Sequence, residues 1–157
     1  MLTGDLDEYS IAALAAAPVD GYGVGTSLVT GSGAATAALV YKLVARSDGP
    51  GGRGPLRPVA KRSVGKPGRG GRKWPVRHRD ERGVAISEEI YAAPPDVAPS
   101  DRLLLTPLVQ RGEIVGRESL EAARERHRQV LAELPPQAFQ LSRGDPAIPT
   151  VFEPGTE

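Results

Sequence analysis

The chain of 157 residues has no cysteine, two histidines, one tryptophan and one methionine. The missing thiols exclude a disulfide framework, a thiolate zinc site and a cysteine nucleophile. His78 and His127, each standing alone, are too few for a histidine-rich metal site. Apolar residues make up 39% and aromatics 4%, and no run approaches the ~18 apolar residues of a membrane-spanning helix. The N-terminus lacks the basic-then-apolar order of a signal peptide. Together these absences lead to the expectation of a soluble, cytoplasmic chain with no membrane partner. A body of this length would bury roughly two-thirds of its unfolded surface if it folded as one. With 19 glycines and 15 prolines, the composition argues against a single compact core.

What is present is unevenly distributed. Net charge is only +1, yet Arg46 to Arg82 holds 12 Lys and Arg against three acidic residues, and the rest of the chain is acidic in compensation. Glycine and proline concentrate in the same middle stretch. Asp48-Gly49-Pro50-Gly51-Gly52-Arg53-Gly54-Pro55 reads as a flexible loop or insertion.

The N-terminal third alternates helix, strand and polar loop. Glu8 to Ala17 is Ala-rich with Ile11, Leu14 and Ala15 on one face; Asp7 suits its N-cap, and Pro18 stops it. Val19 to Tyr22 reads as a brief buried strand running into Gly21-Tyr22-Gly23-Val24-Gly25-Thr26-Ser27. A short helical turn is expected over Ser27 to Val29, ended by Gly31-Ser32-Gly33. Glycines let backbone N–H groups converge on an anion, and the Thr26 hydroxyl adds a donor. If Met1 and Leu2 end a parallel strand, the Gly4-Asp5 loop and the glycine turn leave neighbouring strands on one side, roughly 5 Å apart. Carboxylates such as Asp5 suit ribose hydroxyls. One βα unit cannot close a sheet, so the chain is expected to be a fragment.

Four ordered blocks carry a resemblance. Thr3-Gly4-Asp5-Leu6-Asp7-Glu8, Gly21 to Thr30, Val40-Tyr41-Lys42-Leu43-Val44, and Val59-Ala60-Lys61-Arg62-Ser63 with Gly65-Lys66 resemble the C-terminal part of nicotinate phosphoribosyltransferase. Weaker signals continue through Leu103 to Val109, Ser119 to Leu134 and Leu141-Ser142, so the likeness covers nearly the whole chain. It implies an α/β fold: an incomplete C-terminal part of a type II phosphoribosyltransferase barrel, plus a β-rich C-terminal segment with a late helix. Residues 1–40 would hold the last βα units with the ribose and phosphate loops, 41–109 a basic β-hairpin segment with the loop at 48–55, and 110–157 the helix and tail.

The resemblance also implies site roles. Gly4 and Asp5 match the ribose-contacting loop, and Gly23, Gly25 and Thr26 match the loop that holds the 5′-phosphate. The implied reaction joins nicotinate to phosphoribosyl pyrophosphate, giving nicotinate mononucleotide in NAD salvage. ATP and Mg2+ are implied cofactors, and a homodimer is implied for the full-length enzyme. Nothing in the chain matches the family's phosphorylated histidine or its nicotinate-binding tyrosine and arginine, so the isolated chain is expected to be inactive, with no catalytic residue and no cofactor bound by it alone. Asp5, Asp7 and Glu8 could be read as a metal site; the helix-cap reading of Asp7 is preferred, leaving no metal site.

The basic segment offers an alternative function. Arg69-Gly70-Gly71-Arg72-Lys73-Trp74 looks like an arginine-glycine tract of a small RNA-binding or protein-interaction module. Alternation in Val59 to Ser63 and Lys73 to Arg77 instead predicts two strands of a solvated hairpin, which disfavours a nucleic-acid partner. The late helix is expected from Ser119 to Pro135, with Leu120, Ala123, His127, Val130, Leu131 and Leu134 on a packing face and His127 partly buried in a structural role. Arg143-Gly144-Asp145 spells an adhesion tripeptide that reads as coincidence.

Overall fold

Asp7 and Pro18 punctuate the N-terminal region. The computed structural model describes residues 1–30, 40–62, 64, 68–142 and 144–153. The expected break at Gly31-Ser32-Gly33, the Ser63, Gly65 and Lys66 positions of the fourth block, and Arg143 lie outside the described residues. The chain divides into two compact units, Met1–Tyr41 with Leu141–Arg143 and Lys42–Gln140 with Gly144–Glu157.

In the first unit, strand β1 (Leu2–Thr3) pairs in parallel with β2 (Tyr22–Gly23), Leu2 opposite Tyr22 and Thr3 opposite Gly23. Between them runs helix α1 (Glu8–Ala13), capped by the Asp7 carboxylate. The helix stops short of the expected Ala17. The Leu14 N–H is shared between Ser10 O and Ile11 O, both at 3.1 Å, and Ala15 N–H turns to Ala12 O, so the last turn tightens as Pro18 approaches. Val19 N–H is likewise spent on Ala17 O at 2.8 Å, which delays the strand to Tyr22. The Tyr22 hydroxyl donates to Leu14 O at 3.2 Å, satisfying a carbonyl at the helix end. Helix α2 (Thr26–Thr30) follows the glycine turn directly. Leu6 is the buried apolar anchor of this unit, whereas Leu28 and Val29 are exposed.

The second unit departs from the expected hairpin. Among the described residues, Val59–Arg62 and Lys73–Arg77 do not pair. Instead β3 (Ala45–Ser47) and β4 (Leu56–Pro58) close antiparallel over the Gly/Pro-rich loop, and β5 (Trp74–Arg79) pairs antiparallel with β6 (Ala85–Tyr91). The turn between β5 and β6 decides the pairing. Asp80 Oδ1 accepts from Arg82 N and Val84 N, both at 2.9 Å, and Gly83 takes φ +81°, a region costly for other residues. Strand β7 (Arg102–Leu103) lies beside β5, and β10 (Thr150–Phe152) runs parallel to β6, giving the order β10-β6-β5-β7. Strands β8 (Val109–Gln110) and β9 (Glu113–Ile114) form a separate small hairpin. Val76, in the centre of β5, is 1% exposed.

Helix α3 (Leu120–Ala132) begins where expected, with the Ser119 hydroxyl accepting from Ala122 N. Its expected packing face is largely open: Leu120 and Leu131 are exposed, and so is His127. The partly buried structural role of His127 is therefore corrected. Apolar spacing drew the stripe, but among the described residues no element covers that part of the helix. The architecture is a mixed helix and strand chain. Among its described residues, no helix is long and apolar enough to cross a membrane.

Candidate functional site

The pairing of β1 with β2 sets the two polar loops side by side. Gly4 and Asp5 leave the carboxyl end of β1, and Val24, Gly25 and Thr26 leave the carboxyl end of β2. Leu2 N–H donates to Gly21 O at 2.9 Å, which fixes the start of the ladder. Gly4 has φ +156°, and its carbonyl accepts from Leu6 N at 2.8 Å, so the first loop turns sharply before Leu6 buries its side chain. Asp5 stays exposed. On the other strand, a Cβ at Gly23 would lie 2.7 Å from the Thr3 methyl, so only glycine lets the strands approach this closely. Gly25 and Thr26 are exposed, and a Cβ at Gly25 would meet no atom within 4 Å. The Gly25 carbonyl accepts from Leu28 N at 3.1 Å, turning the chain into α2. All five residues singled out from the sequence thus lie at one end of one strand pair: an acceptor carboxylate on one loop, glycine amides and a hydroxyl on the other.

Asp7 does not share in this site. Its Oδ1 accepts from Ser10 N at 2.8 Å and Ser10 Oγ at 2.6 Å, and these bonds hold its carboxyl below the usual carboxylate range. Among the described residues, no group of three or more His, Cys, Asp or Glu is placed to hold a metal.

Two polar clusters in the second unit escaped the sequence reading. On one face of the sheet, Glu133 is 4% exposed and gathers three arginines. Its Oε1 accepts from Arg79 Nη1 at 2.7 Å and Arg102 Nη2 at 2.6 Å, and Arg77 Nη1 lies 3.5 Å from its Oε2. Arg77 also donates twice to Glu88 Oε1, at 3.1 and 2.7 Å. Burial pushes the Glu133 carboxyl up, but the Arg102 hydrogen bonds and the charges of Arg102, Arg79 and Arg77 outweigh it, so the net shift is downward. On the opposite face, His78 spans two carboxylates: Nδ1 is 2.8 Å from Asp101 Oδ2 and Nε2 is 3.2 Å from Glu89 Oε2. The Tyr91 hydroxyl donates to Glu89 Oε2 at 2.7 Å; that bond, with burial and nearby carboxylates, raises its pKa to about 12. Both ring nitrogens of His78 are engaged, which suits a structural role. The clue to the first cluster was the alternation of Arg77 and Arg79 on β5, but its centre lies 54 residues beyond Arg79.

Comparison with known proteins bears on the first unit and the second alike. No protein-family profile and no solved structure matches the chain. Among curated proteins, nicotinate phosphoribosyltransferase pncB1 of Mycobacterium tuberculosis (strain CDC 1551 / Oshkosh) is 48% identical over 152 residues, 96% of this chain and 32% of the relative. Nicotinate phosphoribosyltransferase pncB2 of the same organism is 38% identical over 140 residues, 87% of this chain and 28% of the relative. The chain spans about a third of the length of the curated relatives it matches. The likeness first carried by four short blocks is therefore a sequence relationship along nearly the whole chain, and its 152 matched residues are related to nicotinate phosphoribosyltransferase.

Proposed function

We propose that this chain is the ribose- and phosphate-positioning part of a nicotinate phosphoribosyltransferase acting in NAD salvage. The observation that carries the reading is the side-by-side exit of Gly4-Asp5 and Val24-Gly25-Thr26 from adjacent parallel strands, in a chain 48% identical to enzymes of that name. In this reading, the β1–β2 pair forms two staves of an α/β barrel whose other strands correspond to the two-thirds of the relatives outside the matched residues. Asp5 accepts hydrogen bonds from ribose hydroxyls, with Gly4 turning the loop toward the sugar. The amides at Gly25 and Thr26, with the Thr26 hydroxyl, hold the 5′-phosphate, while Gly23, whose N–H belongs to the β1–β2 ladder, lets the two strands close up beneath it.

The reaction so positioned forms a C–N bond from nicotinate to the ribose anomeric carbon as the C–O bond to pyrophosphate breaks, releasing nicotinate mononucleotide and pyrophosphate. Its transition state has oxocarbenium character, so fixing the sugar in line between nucleophile and leaving group is the main task of these loops. ATP hydrolysis coupled to turnover, homodimerisation and a cytoplasmic location belong to the same proposal. Magnesium would arrive with the pyrophosphate, since no described residue cluster is placed to hold it, and no step on these loops is routed through it or through ATP. With no match to the family's phosphorylated histidine, the chain by itself is inactive.

The test assays nicotinate mononucleotide formation by the purified chain alone, and then by the chain mixed with the remaining two-thirds of a pncB1-like polypeptide. The mixture forms product and the chain alone does not. Gly25→Val abolishes activity in the mixture. A Cβ there meets no protein atom within 4 Å, so the lost activity reflects occupied ligand space. Product from the chain alone would refute its inactivity, and an active Gly25→Val mixture would remove the phosphate role of Gly25.

A further inference from the structure

Side-chain alternation gives the β1–β2 pair two unlike faces. Residues in register across a ladder point the same way, and the next pair points the opposite way. Leu2 and Tyr22 share one face, and the Tyr22 hydroxyl reaches Leu14 O at the end of α1, so this face is turned to the helix. Thr3 and Gly23 therefore lie on the other face, away from α1. Thr3 is also the last residue of β1, immediately before Gly4 and Asp5, and it is exposed.

The neighbouring strand holds the Thr3 side chain in one orientation. Its methyl lies 2.7 Å and its Cβ 3.5 Å from where a Cβ on Gly23 would stand, so the methyl takes the space that glycine leaves. Threonine carries both γ atoms on one carbon, and fixing the methyl fixes the hydroxyl. Other hydroxyls of the unit are spent inside it. Ser10 Oγ donates to Asp7 Oδ1 at 2.6 Å, Thr30 Oγ1 to Thr26 O at 3.0 Å, and the Tyr22 hydroxyl to Leu14 O at 3.2 Å. Among the described residues, the Thr3 hydroxyl has no hydrogen-bond partner. Its direction is set by packing, which is the preorganisation that a ligand contact requires.

We propose, resting on the phosphoribosyltransferase reading, that Thr3 is a further positioning residue whose hydroxyl donates to an oxygen of the phosphoribosyl group. In that reading the face away from α1 is the inside of the barrel, where the sugar lies between the Asp5 loop and the Gly25-Thr26 loop. The two branches of the side chain then do different things. The methyl sets the strand spacing against Gly23, and the hydroxyl contacts the ligand. Serine would supply only the second and valine only the first.

The experiment uses the two-part mixture and measures kcat and the KM for phosphoribosyl pyrophosphate with wild type, Thr3→Val and Thr3→Ser. Thr3→Val keeps the methyl and removes the hydroxyl. Its KM rises about ten- to a hundredfold, the range for a lost hydrogen bond to a charged group, and its kcat stays within about threefold, since the bond is made equally in the ground and transition states. Unchanged hydrogen exchange at the Leu2 amide, which donates to Gly21 O, shows that the ladder is intact in this variant. Thr3→Ser keeps the hydroxyl, and its KM stays closer to wild type. A purely structural role reverses that order, because serine and not valine loses the contact with Gly23. A wild-type KM in Thr3→Val, a fall in kcat at constant KM, or greater impairment of Thr3→Ser overturns the role of the hydroxyl and leaves the phosphoribosyltransferase reading in place. A wild-type mixture that forms no product overturns that reading and the role of Thr3 with it.

Discussion

Thr3 lies against Gly23 so closely that a Cβ on the glycine would come within 2.7 Å of the threonine methyl. Gly23→Ala must push β1 and β2 apart, at a cost of about 1–3 kcal/mol typical of overpacking. Hydrogen exchange at the Leu2 amide, which donates to Gly21 O, reports it as faster exchange. Gly25→Ala, with no atom within 4 Å of the new Cβ, leaves that exchange rate unchanged. Equal rates in the two variants would contradict the close approach.

Glu133 is the shared acceptor of Arg79 and Arg102 and is nearly buried. Glu133→Ala takes from Arg102 the carboxylate that accepts its hydrogen bonds and removes one partner from Arg79 and Arg77, which keep Ser100 O and Glu88; losing one partner of a buried ion pair costs about 3–5 kcal/mol. A marked drop in the urea midpoint of the second unit is the expected reading. A change below about 0.5 kcal/mol, the range of ordinary surface substitutions, would show that the cluster is not stabilising.

The same carboxylate sets a pH dependence. Burial raises its pKa, but the hydrogen bonds from Arg102 and the charges of Arg102, Arg79 and Arg77 bring it below the ordinary 4.5. A folded-state pKa below the unfolded one adds stability above pH 4.5 that is lost as pH falls through the folded value. The wild-type urea midpoint therefore falls on the acid side of 4.5 more steeply than that of Glu133→Gln. Parallel pH profiles would sink this assignment.

His127 is exposed on α3. His127→Ala shifts stability by no more than about 0.5 kcal/mol in chemical denaturation. A larger loss would restore the packed role that its place in the apolar stripe suggested.

Asp7→Ala removes the acceptor of both Ser10 hydrogen bonds. Amide exchange in the first turn of α1 accelerates, while any magnesium binding by the chain is unaltered. Loss of magnesium binding with α1 intact would favour the metal reading of Asp5, Asp7 and Glu8.

The first unit was largely legible because local punctuation decides it. Asp7 caps, Pro18 interrupts, and the glycines of Gly21 to Gly25 end a strand, all within a few residues of their effects. Strand partners in the second unit were not. The alternation of Val59 to Ser63 with Lys73 to Arg77 suggested one hairpin, whereas Asp80 and Gly83, in a short Asx-type turn, hold the β5–β6 hairpin instead. Even so, the Glu133 cluster could not be read from spacing, because Arg77, Arg79, Arg102 and Glu133 meet only after β5, β7 and the end of α3 are assembled. The helix itself was readable from Ser119, but what covers its apolar stripe depends on long-range packing that no local pattern encodes.

Strand β10 sets an order of events in synthesis. Thr150 faces Glu88, 62 positions earlier, so β6 can pair with β5 as soon as Tyr91 is made but gains its other neighbour much later. At about 5–20 residues per second, those 62 residues take about 3–12 s to translate. During that interval β6 is an open sheet edge, with Glu88 and Glu89 along it as the charges that discourage pairing with a neighbouring nascent chain.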